Sequence, residues 1–222
     1  MAETTLSRID AALAWVLAPA SPAARLKPVW AEASDWLRAR RAARPGRGRA
    51  HAAELARATD MLITRLFAHA AGAVVGERLA VLAVGGYGRG ELAPYSDIDL
   101  LFVTEARPGP HAQAVVAAML HALWDLGFKV GHATRTPDDV VRQAKADLTV
   151  RTAMLDARLV AGDAGLAELA SERFRREVVA GSAAKFVAEK LRERAARHTR
   201  LGDSRYLVEP NLKEGKGGLR DL

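Results

Sequence analysis

An apolar run, Leu79 to Val84, stops at the glycine pair Gly85-Gly86. A loop rich in turn residues, Tyr87 to Ser96, follows, and then Asp97-Ile98-Asp99-Leu100-Leu101. This stretch constrains the chain more than any other. Side chains at i and i+2 of a strand share one side. A strand here therefore stands Asp97 and Asp99 together on one face and turns Ile98 and Leu100 into a core. Adjacent carboxylates repel, and a divalent cation between them removes the penalty. Oxygen-only ligation suits Mg²⁺ delivered with a nucleoside triphosphate. Gly85 and Gly86 permit close backbone approach, so that their N–H groups can face phosphates. The combination reads as a site for metal-assisted nucleotidyl transfer. A metal-free hairpin with a solvated acidic face is the plainer alternative, and it does not account for the apolar residues on both sides of the aspartates.

The glycine pair, the interval and the Asp-apolar-Asp-apolar strand resemble the signature of the polymerase-β-like nucleotidyltransferases. A second landmark closes the chain: Tyr206-Leu207-Val208-Glu209-Pro210-Asn211-Leu212-Lys213-Glu214-Gly215-Lys216-Gly217-Gly218-Leu219-Arg220-Asp221-Leu222. Together with Gly85-Gly86-Tyr87-Gly88-Arg89-Gly90-Glu91-Leu92 and Ser96 to Leu101, it resembles the bacterial PII uridylyltransferase/uridylyl-removing enzymes. The segment Thr152-Ala153-Met154-Leu155-Asp156-Ala157-Arg158, followed by Gly162-Asp163, is similar to the same family. The resemblance covers residues 80 to 222 or so. It implies transfer of UMP from UTP to a tyrosine of the PII nitrogen-regulatory protein, with release of pyrophosphate and with Mg²⁺ as cofactor. Two rivals remain: an adenylyltransferase-like protein-modifying enzyme, or a silent module that binds nucleotide or a partner.

The site residues expected on this basis are Asp97 and Asp99 as metal ligands and catalytic carboxylates, and Gly85 and Gly86 around the phosphates. Ser96 either adds a hydroxyl to the phosphates or caps its own turn. Arg89 reaches the triphosphate or pairs with Glu91. At the chain's end, Lys213 and Arg220 contact phosphates, with Gly217-Gly218 at an anion-binding helix start; otherwise those glycines serve packing. Superfamily members commonly carry a third acid on the strand after the intervening helix. Here that strand reads Lys129-Val130-Gly131-His132-Ala133-Thr134-Arg135, without a carboxylate. The general base is thus open between His132 and Asp156.

Other classes are excluded residue by residue. There is no cysteine, hence no disulfide, thiolate metal site or cysteine nucleophile. The glycines fit neither a P-loop nor a dinucleotide fingerprint. A net charge of +7 invites nucleic acid as partner. The cations, however, cluster at Arg38 to Arg49 around Pro45-Gly46 or lie among glutamates on helical stretches, so solvated faces explain them and no nucleic-acid partner is expected. No apolar run is long enough for a membrane span, and a cytoplasmic protein is expected.

The predicted fold is α+β: a small mixed sheet backed by helices. Residues 1–70 form an N-terminal helical segment, with Leu6, Ile9, Leu13 and Val16 on one face and a loop near 43–49. Residues 71–160 form the nucleotidyltransferase core with three strands, one of them after the helix bearing Val115, Met119 and Leu123. Thr136 is read as the N-cap of a further helix, with Pro137 at its first position. Residues 161–222 form a helical extension that ends in the glycine-rich motif. No His-Asp dipeptide occurs in the 222 residues, and a chain stopping inside a motif reads as truncated.

Overall fold

A computed structural model describes residues 26–72, 77–202, 209 and 211–221. The helix expected on Leu6, Ile9, Leu13 and Val16 lies outside these residues, as do Tyr206 to Val208 of the closing motif. The described chain divides into two compact units between Phe174 and Arg175.

In the first unit, helices α1 (Leu26–Ala42) and α2 (Gly48–Ala71) precede strand β1 (Leu79–Ala83). A single helical turn, α3 (Gly85–Gly88), leads toward β2 (Ile98–Thr104), α4 (Pro110–Asp125) and β3 (Val130–Arg135). Then come α5 (Pro137–Ala146), α6 (Leu148–Leu155), β4 (Arg158–Gly162) and α7 (Ala164–Phe174). The sheet order is β3-β2-β1-β4. β1 runs antiparallel to β2 and β4, whereas β2 and β3 are parallel, joined through α4.

Alternation along the strands divides the core. Val81, Ala83, Ile98, Leu100 and Phe102 pack toward α1, α2 and α4, against Leu62, Ile63, Met119 and Leu123. The other face carries Leu82, Leu101 and Val103, with α7 packed on β1 and β2. Each wholly buried Val, Leu, Ile, Phe or Met among these contributes roughly 1.5–3 kcal/mol of burial free energy. Local signals agree with the packing. Thr136 and Asp139 form a reciprocal capping box at the start of α5. Gly127, at φ 84°, ends the turn after α4.

One expectation is corrected. The sheet has a fourth strand, β4, where three were expected; Leu159-Val160-Ala161 is too short a run to announce itself and is a strand because β1 offers it an edge. Asp163 pairs with Arg78 beside β1 and accepts the Leu166 N–H, so α7 continues the first unit's core to Phe174. The helices of the first 70 residues that are described share this core as well.

The second unit comprises a π-helical turn (Arg175–Val179), α8 (Ala183–Arg200) and the closing segment with a 3₁₀ turn, Leu219–Asp221. Within it, Asp221 accepts hydrogen bonds from Arg197, from His198 at 2.9 Å and from the Gly217 N–H at 2.8 Å.

Candidate active site

Asp97 lies one residue before β2 and is exposed; Asp99, inside the strand, is partly buried. The alternation that buries Ile98 and Leu100 turns Asp99 to the face of Leu101 and Val103. Burial pushes the Asp99 carboxyl above its ordinary range, and the charge of Asp97 adds to that. The pair is therefore an electrostatic cost to the fold, as a cation-binding pair would be.

The space around Asp99 is made by two glycines. Gly131 is its register partner on β3. A Cβ at Gly131 would stand 2.2 Å from Asp99 Oδ1, and one at Gly85 would stand 3.3 Å from Oδ2. Gly85 also holds φ 58°, which L side chains rarely adopt. It opens α3, whose first N–H groups have no acceptor within the turn. Among the described residues no group of three or more His, Cys, Asp or Glu side chains is placed to hold a metal. Two carboxylates suit a hard divalent cation, for which oxygen ligands are the preferred donors.

The remaining candidates are distributed as follows. Ser96 donates its hydroxyl to the Ala93 carbonyl at 2.9 Å and so caps its own turn. Arg89 pairs with Asp156 at 2.9 Å rather than with Glu91, which pairs with Arg49 at 2.6 Å. Both alternatives for the base change in meaning. Asp156 is engaged by Arg89. His132 is in register with Leu100, not Asp99, and its ring meets the edge of Trp124 on α4 with centroids 6.1 Å apart. It therefore lies on the opposite face of the sheet from Asp99, because register partners in a parallel ladder point the same way.

In the second unit, Lys213 is exposed and Arg220 bonds Glu214 at 2.8 Å. The Gly217 N–H is taken by Asp221, and the Gly218 N–H by the Gly215 carbonyl at 2.8 Å. Both amides are thus engaged within the segment, and no helix starts there with free N–H groups. A Cβ at Gly218 would stand 2.8 Å from the Leu212 carbonyl oxygen, so this glycine serves the loop's own packing.

Sequence reasoning missed two features. One is Gly131, whose significance is only the carboxylate it faces across the ladder. The other is a cluster behind α3: the Arg158 guanidinium forks onto Asp60 with two bonds of 2.9 Å, and the Tyr87 hydroxyl donates to Asp60 at 2.6 Å. Arg158 belongs to a segment similar to the family, yet nothing in the sequence pairs it with residue 60. A groove of about 640 Å³ between α1, α2 and the loops at 92–96 and 126–129 includes neither carboxylate. Chemistry is placed by the aspartates, not by that groove.

The mixed sheet carries Asp99 on its second strand, with Asp97 one residue before it and a glycine turn beside them. Residues 74–160 match the nucleotidyltransferase domain family, so the chain carries a nucleotidyltransferase domain. Residues 185–222 match a second family, described as GlnD PII-uridylyltransferase. The chain matches the N-terminal nucleotidyltransferase portion of proteins named bifunctional uridylyltransferase/uridylyl-removing enzymes. It is 55% identical over 187 residues to the enzyme of that name from Novosphingobium aromaticivorans, covering 81% of this chain and 20% of the relative. The Phenylobacterium zucineum enzyme is 63% identical over 147 residues, 66% of this chain and 16% of the relative. For Caulobacter vibrioides the identity is 57% over 171 residues, 74% of this chain and 18% of the relative. The chain therefore spans about a fifth of the length of these curated relatives. None of the described helices is long and apolar enough to cross a membrane.

Proposed function

We propose that this chain transfers UMP from UTP to a tyrosine hydroxyl of a PII signalling protein. The tyrosine oxygen forms a bond to the α-phosphorus, the bond to the pyrophosphate oxygen breaks, and the hydroxyl proton leaves to a base. The observation that carries the reading is the partly buried Asp99 carboxylate, raised in pKa beside Asp97 and enclosed by Gly85 and Gly131. Asp97 and Asp99 would hold Mg²⁺. The metal supplies neutralisation of the charge that grows on the phosphate oxygens.

The chain's own residues do the rest. Gly85 and Gly86 offer backbone N–H groups to the phosphates, and Arg89 exchanges Asp156 for a phosphate oxygen. Ser96 holds the turn that delivers Asp97. The relatives' names support the uridylyl group as the one transferred.

The test is a double variant, Asp97→Asn with Asp99→Asn, assayed for Mg²⁺-dependent transfer of labelled UMP to PII. Shape is kept and charge is lost, so transfer should vanish while the circular dichroism spectrum is retained. Near-normal transfer by the double variant removes the metal-site reading. Calorimetric titration with UTP and with ATP, each with and without Mg²⁺, separates the rivals: preference for ATP favours an adenylyltransferase, and weak metal-independent binding favours a silent module.

A further inference from the structure

The turn α3 cannot hold itself in place. It has only four residues and few backbone bonds, among them those from the Gly88 N–H to the Val84 carbonyl at 3.1 Å and from the Gly90 N–H to the Tyr87 carbonyl at 3.0 Å. An isolated helical turn is unfavourable, because nucleation fixes several dihedrals for one hydrogen bond. Yet Gly85, its first residue, is close enough to Asp99 that the turn's position sets the room beside that carboxylate. Something outside the turn must fix it.

The Val84 N–H, just before the turn, bonds the Asp99 carbonyl at 3.1 Å, and the side chains that fix the rest come from three elements. Tyr87, 1% exposed, is the turn's own anchor, and its hydroxyl donates to Asp60 on α2. Burial, with the Asp60 charge second, pushes the Tyr87 phenol far above its ordinary range, so it stays a neutral donor. Arg158 opens β4 in register with Ala83. Its guanidinium grips both Asp60 oxygens, lies over the Tyr87 ring at 5.6 Å, and makes longer bonds to the carbonyls of Gly88 (3.3 Å) and Tyr87 (3.5 Å). A fork with five donors in a plane fixes direction as well as distance, which an ammonium does not. The turn is thus tied from β4 at its carbonyl end while its glycine end faces Asp99.

We infer that Arg158 is a positioning residue for nucleotide binding, acting with Asp60 and Tyr87 to set the Gly85–Gly88 turn against Asp99. The inference rests on the reading of Gly85 and Gly86 as groups that face the triphosphate. Arg158 touches no phosphate itself. It acts through the turn, so its loss weakens UTP and leaves the acceptor protein's affinity alone.

The experiment compares the unaltered chain with Arg158→Lys, measuring melting temperature, Mg²⁺-dependent UTP affinity by calorimetry, and KM for UTP and for PII. Lysine keeps the charge and loses the fork. The expected result is UTP affinity weakened about tenfold, KM for UTP raised to match, KM for PII unchanged and melting temperature nearly unchanged. A lowered melting temperature with both UTP constants intact overturns the inference, because it is what a merely structural contact gives. Should Arg158→Lys fail to fold, Tyr87→Phe, which deletes one hydroxyl and keeps the ring, decides by the same comparison, with a weakening of about threefold expected and unchanged UTP constants overturning it. If the unaltered chain shows no Mg²⁺-dependent UTP binding, the proposed function fails and this inference with it. That outcome is distinct from normal binding by both chains.

Discussion

Asp99 and Gly131 face each other across the β2–β3 ladder, and the Asp99 Oδ1 atom lies 2.2 Å from where a Cβ of residue 131 would be. The glycine is what lets the carboxylate take its place. The clashing atom is the far end of a side chain and not backbone, so a methyl group there displaces the carboxylate before it displaces the strand. Gly131→Ala should therefore leave the melting temperature nearly unchanged and weaken Mg²⁺-dependent UTP binding at least about tenfold. Calorimetry and thermal denaturation on one preparation check both halves. A large drop in melting temperature with UTP affinity intact contradicts the relationship.

Gly88 presents the opposite case. A Cβ there would stand 2.1 Å from the Asp156 carbonyl oxygen and 3.1 Å from that of Ala83, and backbone cannot swing aside. Gly88→Ala should destabilise the fold by roughly 1–3 kcal/mol, the usual cost of overpacking. Urea denaturation measures it, and a variant as stable as the parent contradicts the close packing of α3 on the end of α6.

Acid should release the tie at the edge of β1. The hydrogen bonds from Arg78, then the Leu166 N–H, hold the Asp163 carboxyl down to about 2. A carboxyl with a lowered folded-state pKa stabilises fully above its unfolded value of about 3.9 and loses that contribution as pH falls toward 2. Asp163→Asn should be less stable than the parent at pH 7, with the difference shrinking between about pH 4 and pH 2. The pair is partly exposed, so solvent screening keeps the effect modest. Urea midpoints across that pH range test it, and a constant difference at every pH counts against the assignment.

The closing segment offers cations with little structural duty. Lys213 is exposed, and the Arg220–Glu214 pair is an ion pair in which the arginine is half exposed, a kind that adds little stability. Changing both cations to alanine should hardly move the melting temperature, because Asp221, Arg197 and His198 still fasten the segment to α8. Thermal denaturation checks it, and a clear drop assigns the two cations to packing.

Local chemistry made much of this protein legible in one dimension. The alternation from Asp97 to Leu100 predicts which side chains are buried, because strand geometry has a period of two and needs no partner to set it. The capping box at Thr136 and the glycine after α4 act within a few residues, and both stand where the residue types put them. The α+β class and the carboxylate pair followed from such signals.

Tertiary structure decided what depends on distant partners. Leu159 to Ala161 became a strand because the free edge of β1 offered hydrogen bonds that a short run cannot advertise. Arg89 found Asp156 in preference to the nearby Glu91, and Glu91 found Arg49, since the fold brings those partners within 3 Å while sequence spacing only suggests them. His132 looked like a substitute for the missing acid, but register turned it toward Trp124 and put Gly131 beside Asp99. One step along a strand reverses the face, and only the pairing of β2 with β3 sets which residue takes which side.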